Sequence, residues 1–148
     1  MSRGFFSELL GRWDLAGTVL GRPLEQLVTV ERVLGGSWLR LTFHPSTVTP
    51  LTDEPYEAIA YIAPTDKEGD EHVMVLMDTF GATSWAPGFG RVEGDHIDFR
   101  FDYADGAFRT SFRQLEDGAW VIRQWRASDD GWTEFGVKRL TSAEPAEQ

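Results

Sequence analysis

His96 and Asp98 stand two residues apart in a stretch that alternates apolar and polar side chains. That spacing puts an imidazole and a carboxylate on one face of a β-strand, where they could act as acid and base or form half a metal site. Arg100 and Asp102 continue the same face, whereas Ile97, Phe99, Phe101 and Tyr103 make the opposite face far more apolar. The expectation is a solvated outer ladder of His96, Asp98, Arg100 and Asp102, with Phe99 and Phe101 turned inward. His44 and His72 lie on other strands, and no His-x-His spacing occurs. No metal site is expected.

Asp78 ends the apolar run Val73-Met74-Val75-Leu76-Met77. Facing a cavity, it would be a general acid or base with a pKa raised by burial. At a strand end, it would instead cap the turn before Gly81 through backbone hydrogen bonds, which is the favoured role. Arg123 and Trp125 share one face of a later strand with Val121, and Trp120, Gln124 and Arg126 share the other. An inward Arg123 beside Trp125 would suit an anionic amphiphile, and an outward pair would be a guanidinium lying on a surface indole. Alternation leaves that choice open. No Gly-x-Ser-x-Gly elbow is present, and Gly88-Phe89-Gly90 opens no helix that could bind phosphate.

The elements that must position these groups are strands. Gly94-Asp95, Asp105-Gly106, Asp117-Gly118 and Asp130-Gly131 recur about every dozen residues, as hairpin turns do in an antiparallel meander. Alternating or apolar stretches between residues 13 and 79 supply earlier strands. Residues 82–89 read as a further one, followed by a short strand at 91–93. The whole predicts an all-β fold: one antiparallel up-and-down closed barrel of about nine or ten strands. Ser2 can cap a short N-terminal helix carrying Phe5, Phe6, Leu9 and Leu10 on one side. Residues 1–140 form a single domain in this reading, and 141–148 a flexible polar tail. The proline- and threonine-rich segment 45–55 is long for a hairpin and is expected as a surface loop, with a lid as the alternative.

Composition narrows the partners. With 24 acidic and 14 basic residues the net charge is -10, which disfavours nucleic acid and anionic membrane surfaces. There is no cysteine, which excludes disulfides and thiolate metal sites and fits a cytoplasmic location. Ten Phe, six Trp and three Tyr are enough aromatics to fill a core or to line an apolar cavity.

Gly11-Arg12-Trp13 before the first strand resembles the Gly-x-Trp signature of lipocalins and the wider calycin group. The resemblance implies that Trp13 plugs one barrel end beneath Arg139 of the last strand. It thereby implies Phe135, Val137 and Arg139 inside, and Glu134 and Lys138 outside. Trp38 after Gly35-Gly36, the segment Leu76-Met77-Asp78-Thr79-Phe80-Gly81, the 90–94 turn region and Lys138-Arg139 resemble a bacterial calycin-type barrel family of unknown function. That architecture includes haem-binding nitrobindin-like barrels, whose ligand is a His near the C-terminal strands. No His lies between Ala119 and Leu140.

The expected function is a small-molecule binding barrel for an apolar or amphipathic ligand, without cofactor, as a monomer or homodimer. Tyr61, Met77, Trp85, Phe99, Phe101, Phe112, Arg123 and Trp125 are its candidate ligand-binding residues. The alternative is a cofactor-independent isomerase, cyclase or lyase using Asp78 or His44. A haem-binding barrel is a third possibility, and pairing of barrels through exposed Trp120 and Trp132 a fourth.

Overall fold

The computed structural model describes residues 4–46, 55–82 and 85–143. Within them ten antiparallel strands close into a barrel: β1 (Gly11–Val19), β2 (Arg22–Val33), β3 (Trp38–Phe43), β4 (Ala58–Pro64), β5 (Glu71–Asp78), β6 (Gly88–Glu93), β7 (His96–Tyr103), β8 (Gly106–Gln114), β9 (Trp120–Ser128) and β10 (Gly131–Ser142). Each strand pairs with its chain neighbours, and β10 returns to β1 with Leu140 opposite Leu15. Closure removes the sheet edges that an open meander would expose. The four Gly/Asp turns fall at hairpin reversals, and their glycines hold positive φ values, from 63° at Gly94 to 143° at Gly106. Where strands were expected at 82–89 and 91–93, one strand, β6, runs from Gly88 to Glu93; residues 85–87 are not strand, and 83–84 lie outside the described residues.

Alternation sorts the side chains. Trp13, Leu15 and Val19 of β1, Leu39, Leu41 and Phe43 of β3, and Ile97, Phe99 and Phe101 of β7 are buried. Arg100 and Asp102 are exposed and bond each other at 3.0 Å. Removing the inward rows from water is the main driving force for closure.

The two ends of the barrel differ. At one end the N-terminal segment makes only a 3-10 turn, Ser7–Leu9, which follows Phe6 without a side-chain cap. Ser2 lies outside the described residues. The turn drops Phe6 and Leu9 into the barrel, where Phe6 meets Phe112 edge-to-face at 5.4 Å and stacks near Trp120 at 6.0 Å. Trp13 is buried beside them and donates its indole N–H to the Leu9 carbonyl at 2.7 Å. This end is plugged by side chains.

The other end carries the connections after β1, β3, β5, β7 and β9. The two described ends of the 45–55 loop are fixed there. Gln26 Nε2 donates to the carbonyls of His44 and Tyr56, each at 3.1 Å, and Ser46 Oγ accepts the Tyr56 N–H at 3.0 Å. Residues 47–54, which would form the lid, lie outside the described residues. The last strand runs to Ser142, and Ala143 N–H still bonds the Arg12 carbonyl at 2.9 Å. Residues 144–148 of the expected tail lie outside the described residues.

Gly88 shows why β6 is glycine-rich. It pairs with Phe101, and a methyl group on it would lie 2.5 Å from the Phe101 ring. Gly88→Ala is therefore expected to push that ring away from the wall and destabilise the fold by about 1–3 kcal/mol. Urea unfolding checks this, and an unchanged midpoint would mean that the ring moves aside freely.

Candidate functional site

Among the described residues the end opposite the plug is open, and it leads into a cavity of about 380 Å³. Its wall is largely aromatic: Phe101 and Tyr103 from β7, Phe108 from β8, Phe135 from β10, and Phe80 and Trp85 from the β5–β6 connection. Trp85 is held by its indole N–H, which donates to the Leu76 carbonyl at 2.8 Å. Leu24 and Leu76 complete the apolar surface.

Polar groups converge on the same space. Asp78 follows His72, Met74 and Leu76 on the inward face of β5. Its Oδ2 accepts the Tyr56 hydroxyl at 3.0 Å, and its Oδ1 accepts the Phe80 N–H at 3.0 Å. Asp78 thus both faces the cavity and caps the turn, the two roles that the sequence set against each other. Burial, reinforced by the charge and hydrogen bond of Asp78, pushes the Tyr56 hydroxyl well above its ordinary pKa. Burial, with the charge of Asp78 adding to it, pushes Tyr103 up to about 12. Both phenols stay protonated as donors near neutral pH.

Lys138 is the least expected member. It is only 7% exposed and lines the cavity, although the resemblance placed it outside and Arg139 inside. The correction has a local cause. A β-bulge between Glu134 and Gly136 leaves Phe135 as an extra residue, so Glu134 pairs with Trp125 but Gly136 pairs with Gln124. One inserted residue turns every later side chain to the opposite face. Phe135 stays inward as expected, but Lys138 and Leu140 turn in after it. Val137 pairs with the exposed Arg123, and Arg139 points outward to Asp117 at 2.9 Å. Arg139 therefore does not cover Trp13. Desolvation lowers Lys138 to about 8, with the charge of Asp78 opposing the shift. Gln124 also lines the cavity, and its Oε1 is buried without a hydrogen-bond partner.

The other candidates separate by strand face. Trp85, Phe101 and Asp78 line the cavity. Phe99 and Phe112 are fully buried in the aromatic plug, 6.0 Å apart. Tyr61 pairs with Arg40 on the outer face of β4, and Met77 is 44% exposed. Arg123 is outside, bonded to Glu134 at 3.0 Å. Trp125 is outside too, under a guanidinium that belongs to Arg109, 4.6 Å from the ring centroid. Trp120 is fully buried and unavailable for pairing two barrels, whereas Trp132 is partly exposed.

The histidines stay apart. His44 shares a hydrogen bond with Thr29 at 3.2 Å, His96 is on the outer ladder, and His72 packs against Phe6. None lines the cavity, so the side chains facing it include no imidazole to hold a haem iron. Among the described residues no three His, Cys, Asp or Glu side chains form a metal cluster, and no helix is long and apolar enough to cross a membrane.

Compared with models of known protein families and with curated proteins, the chain matches none.

Proposed function

We propose that this protein is a small-molecule binding barrel that takes an apolar or amphipathic ligand through its open end. The observation that carries this reading is the cavity itself, about 380 Å³ of aromatic-walled space with Lys138, Gln124, Tyr103 and the Tyr56–Asp78 pair converging on it. Ligand pockets are typically apolar spaces of this order with a few placed polar groups. The ligand's body would lie among Phe101, Phe108, Phe135 and Trp85, and its polar end against Lys138 and Gln124.

The closed barrel and its buried Trp13 support a calycin-like relationship, and the motifs resemble a bacterial family of that architecture. The cysteine-free composition supports a cytoplasmic location, and the charge of -10 argues against nucleic acid or membrane as partner. The expected assembly is a monomer or a homodimer.

Native mass spectrometry of protein purified gently from its own cells tests this reading. A bound small molecule is expected on the wild type and lost in Leu76→Trp, which fills the cavity with an indole. An identical bound mass on both proteins would place the ligand elsewhere. A second reading, a cofactor-independent isomerase, cyclase or lyase, rests on the hydrogen-bonded Asp78–Tyr56 pair facing the cavity.

A further inference from the structure

Lys138 stands out before its position is considered. The chain has 14 basic residues, and only Lys67 and Lys138 among them are lysines. Lys67 is exposed in the β4–β5 turn. The ion pairs of the described residues are made by arginine and histidine, as in Arg91–Glu71, Arg109–Asp98 and Arg123–Glu134. The Lys138 ammonium has neither an ion pair nor a hydrogen bond among those residues, yet the side chain is buried at the cavity wall. An unpaired buried ammonium is costly, and an apolar side chain of similar volume would serve the fold better. Arginine cannot replace lysine in one kind of chemistry, because its guanidinium stays protonated and is no nucleophile. A desolvated lysine amine in an apolar pocket is a nucleophile towards carbonyl carbon.

We propose that Lys138 captures a carbonyl compound, forming a reversible imine with an aldehyde or ketone whose apolar body fills the open-end cavity. The proposal rests on the cavity being a ligand site. The neutral Nζ adds to the carbonyl carbon, and the C–N bond forms as the C=O π pair moves to oxygen. Oxygen gains a proton and nitrogen loses one, giving a carbinolamine. The nitrogen lone pair then forms C=N while the C–O bond breaks, the oxygen leaves as water after taking a second proton, and the resulting iminium gives up its N–H proton to leave the imine. One water is released per imine and nothing is oxidised or reduced. Hydrolysis reverses each step.

The cavity supplies what these steps need. The Asp78 carboxylate can take a proton and return it, and the Tyr56 hydroxyl already donates to it. Gln124 and Lys138 lie on the same inward face of neighbouring strands, since Gln124 pairs with Gly136 and Ile122 with Lys138. The unpartnered Oε1 of Gln124 is thus an acceptor for the carbinolamine hydroxyl or the iminium N–H. Burial holds the Lys138 amine at about 8, so a useful fraction is neutral near physiological pH.

The test uses the intact chain with cinnamaldehyde and sodium cyanoborohydride, which reduces an imine to a stable secondary amine. Peptide mapping by mass spectrometry should find the adduct at Lys138, at least about tenfold over Lys67 and the N-terminal amine. Lys138→Arg should lose that adduct, and Leu76→Trp should suppress it while leaving Lys67 labelling unchanged. The second variant keeps the test decisive if the first fails to fold. Labelling of Lys67 as fast as Lys138, or labelling of Lys138 unaffected by the blocked cavity, overturns the proposal. A parallel titration with 1-anilinonaphthalene-8-sulfonate separates the two levels. Saturable binding without a Lys138 adduct rejects imine formation and leaves the binding barrel standing, and neither binding nor adduct rejects both.

Discussion

Lys138→Met should be more stable than the wild type at pH 7 by about 3 kcal/mol, and the gap should narrow as pH rises from about 8 to 10.5. Burial lowers the folded-state pKa of this lysine below its ordinary 10.5. Below about pH 8 the amine is charged in both states, and folding bears the full cost of desolvating it. Between about 8 and 10.5 the unfolded chain holds the proton and the folded one does not, so wild-type stability gains with pH. Above that window the amine is neutral in both states and the penalty is gone. Tyr103 acts in the opposite sense: its folded pKa of about 12 contributes stability that is present below pH 10 and lost as pH rises through 12. Methionine at position 138 leaves that tyrosine in place, so the difference between the two proteins isolates the lysine. Urea unfolding of both at pH 7, 9 and 10.5 checks it. A gap that stays constant with pH would mean that Lys138 is not desolvated.

Trp120→Ala should cost about 3–5 kcal/mol, a large share of the roughly 5–15 kcal/mol that holds a domain folded. The indole is fully buried, meets Phe5 edge-to-face at 5.5 Å and lies near-parallel to Phe6 at 6.0 Å. Its loss would leave a cavity where the N-terminal segment plugs the barrel. Trp120→Phe should cost much less, because it keeps an aromatic ring and removes an indole N–H that is buried without an acceptor. Thermal unfolding of the two variants distinguishes them. Equal and small losses would show that Phe6 and Trp120 do not seal the barrel together.

The turns were the most legible part of the sequence, because Gly94, Gly106, Gly118 and Gly131 sit at positive φ where few other residues are comfortable. The facing of β7 was equally plain, since His96, Asp98, Arg100 and Asp102 alternate with Ile97, Phe99, Phe101 and Tyr103. β4 and β5 were harder. Both of their faces carry apolar residues, as in Ala58-Ile59-Ala60-Tyr61-Ile62 and Val73-Met74-Val75-Leu76-Met77. Period two then has no contrast to report, and Tyr61 and Met77 read as inward although they face out. The site itself was hidden by the bulge at Phe135, which no residue type announces. Two signals did point to Lys138: its two-residue spacing from the apolar Leu140, and the scarcity of lysine in the chain. The Asp78–Tyr56 pair joins residues 22 positions apart at the open ends of the β4–β5 hairpin, and it needs the hairpin register, with Asp78 opposite Ala58, to bring them together.

The most direct test of the account is amide NMR mapping of the protein titrated with 1-anilinonaphthalene-8-sulfonate, an aromatic body with one polar end. Saturable shifts are predicted for Leu76, Asp78, Tyr103, Gln124 and Lys138 around the open end, with the plug residues Phe6 and Trp120 unmoved. Shifts confined to the outer face around Tyr61, Met77 and Trp125, or no saturable shifts at all, would contradict the claim that this barrel binds its ligand inside.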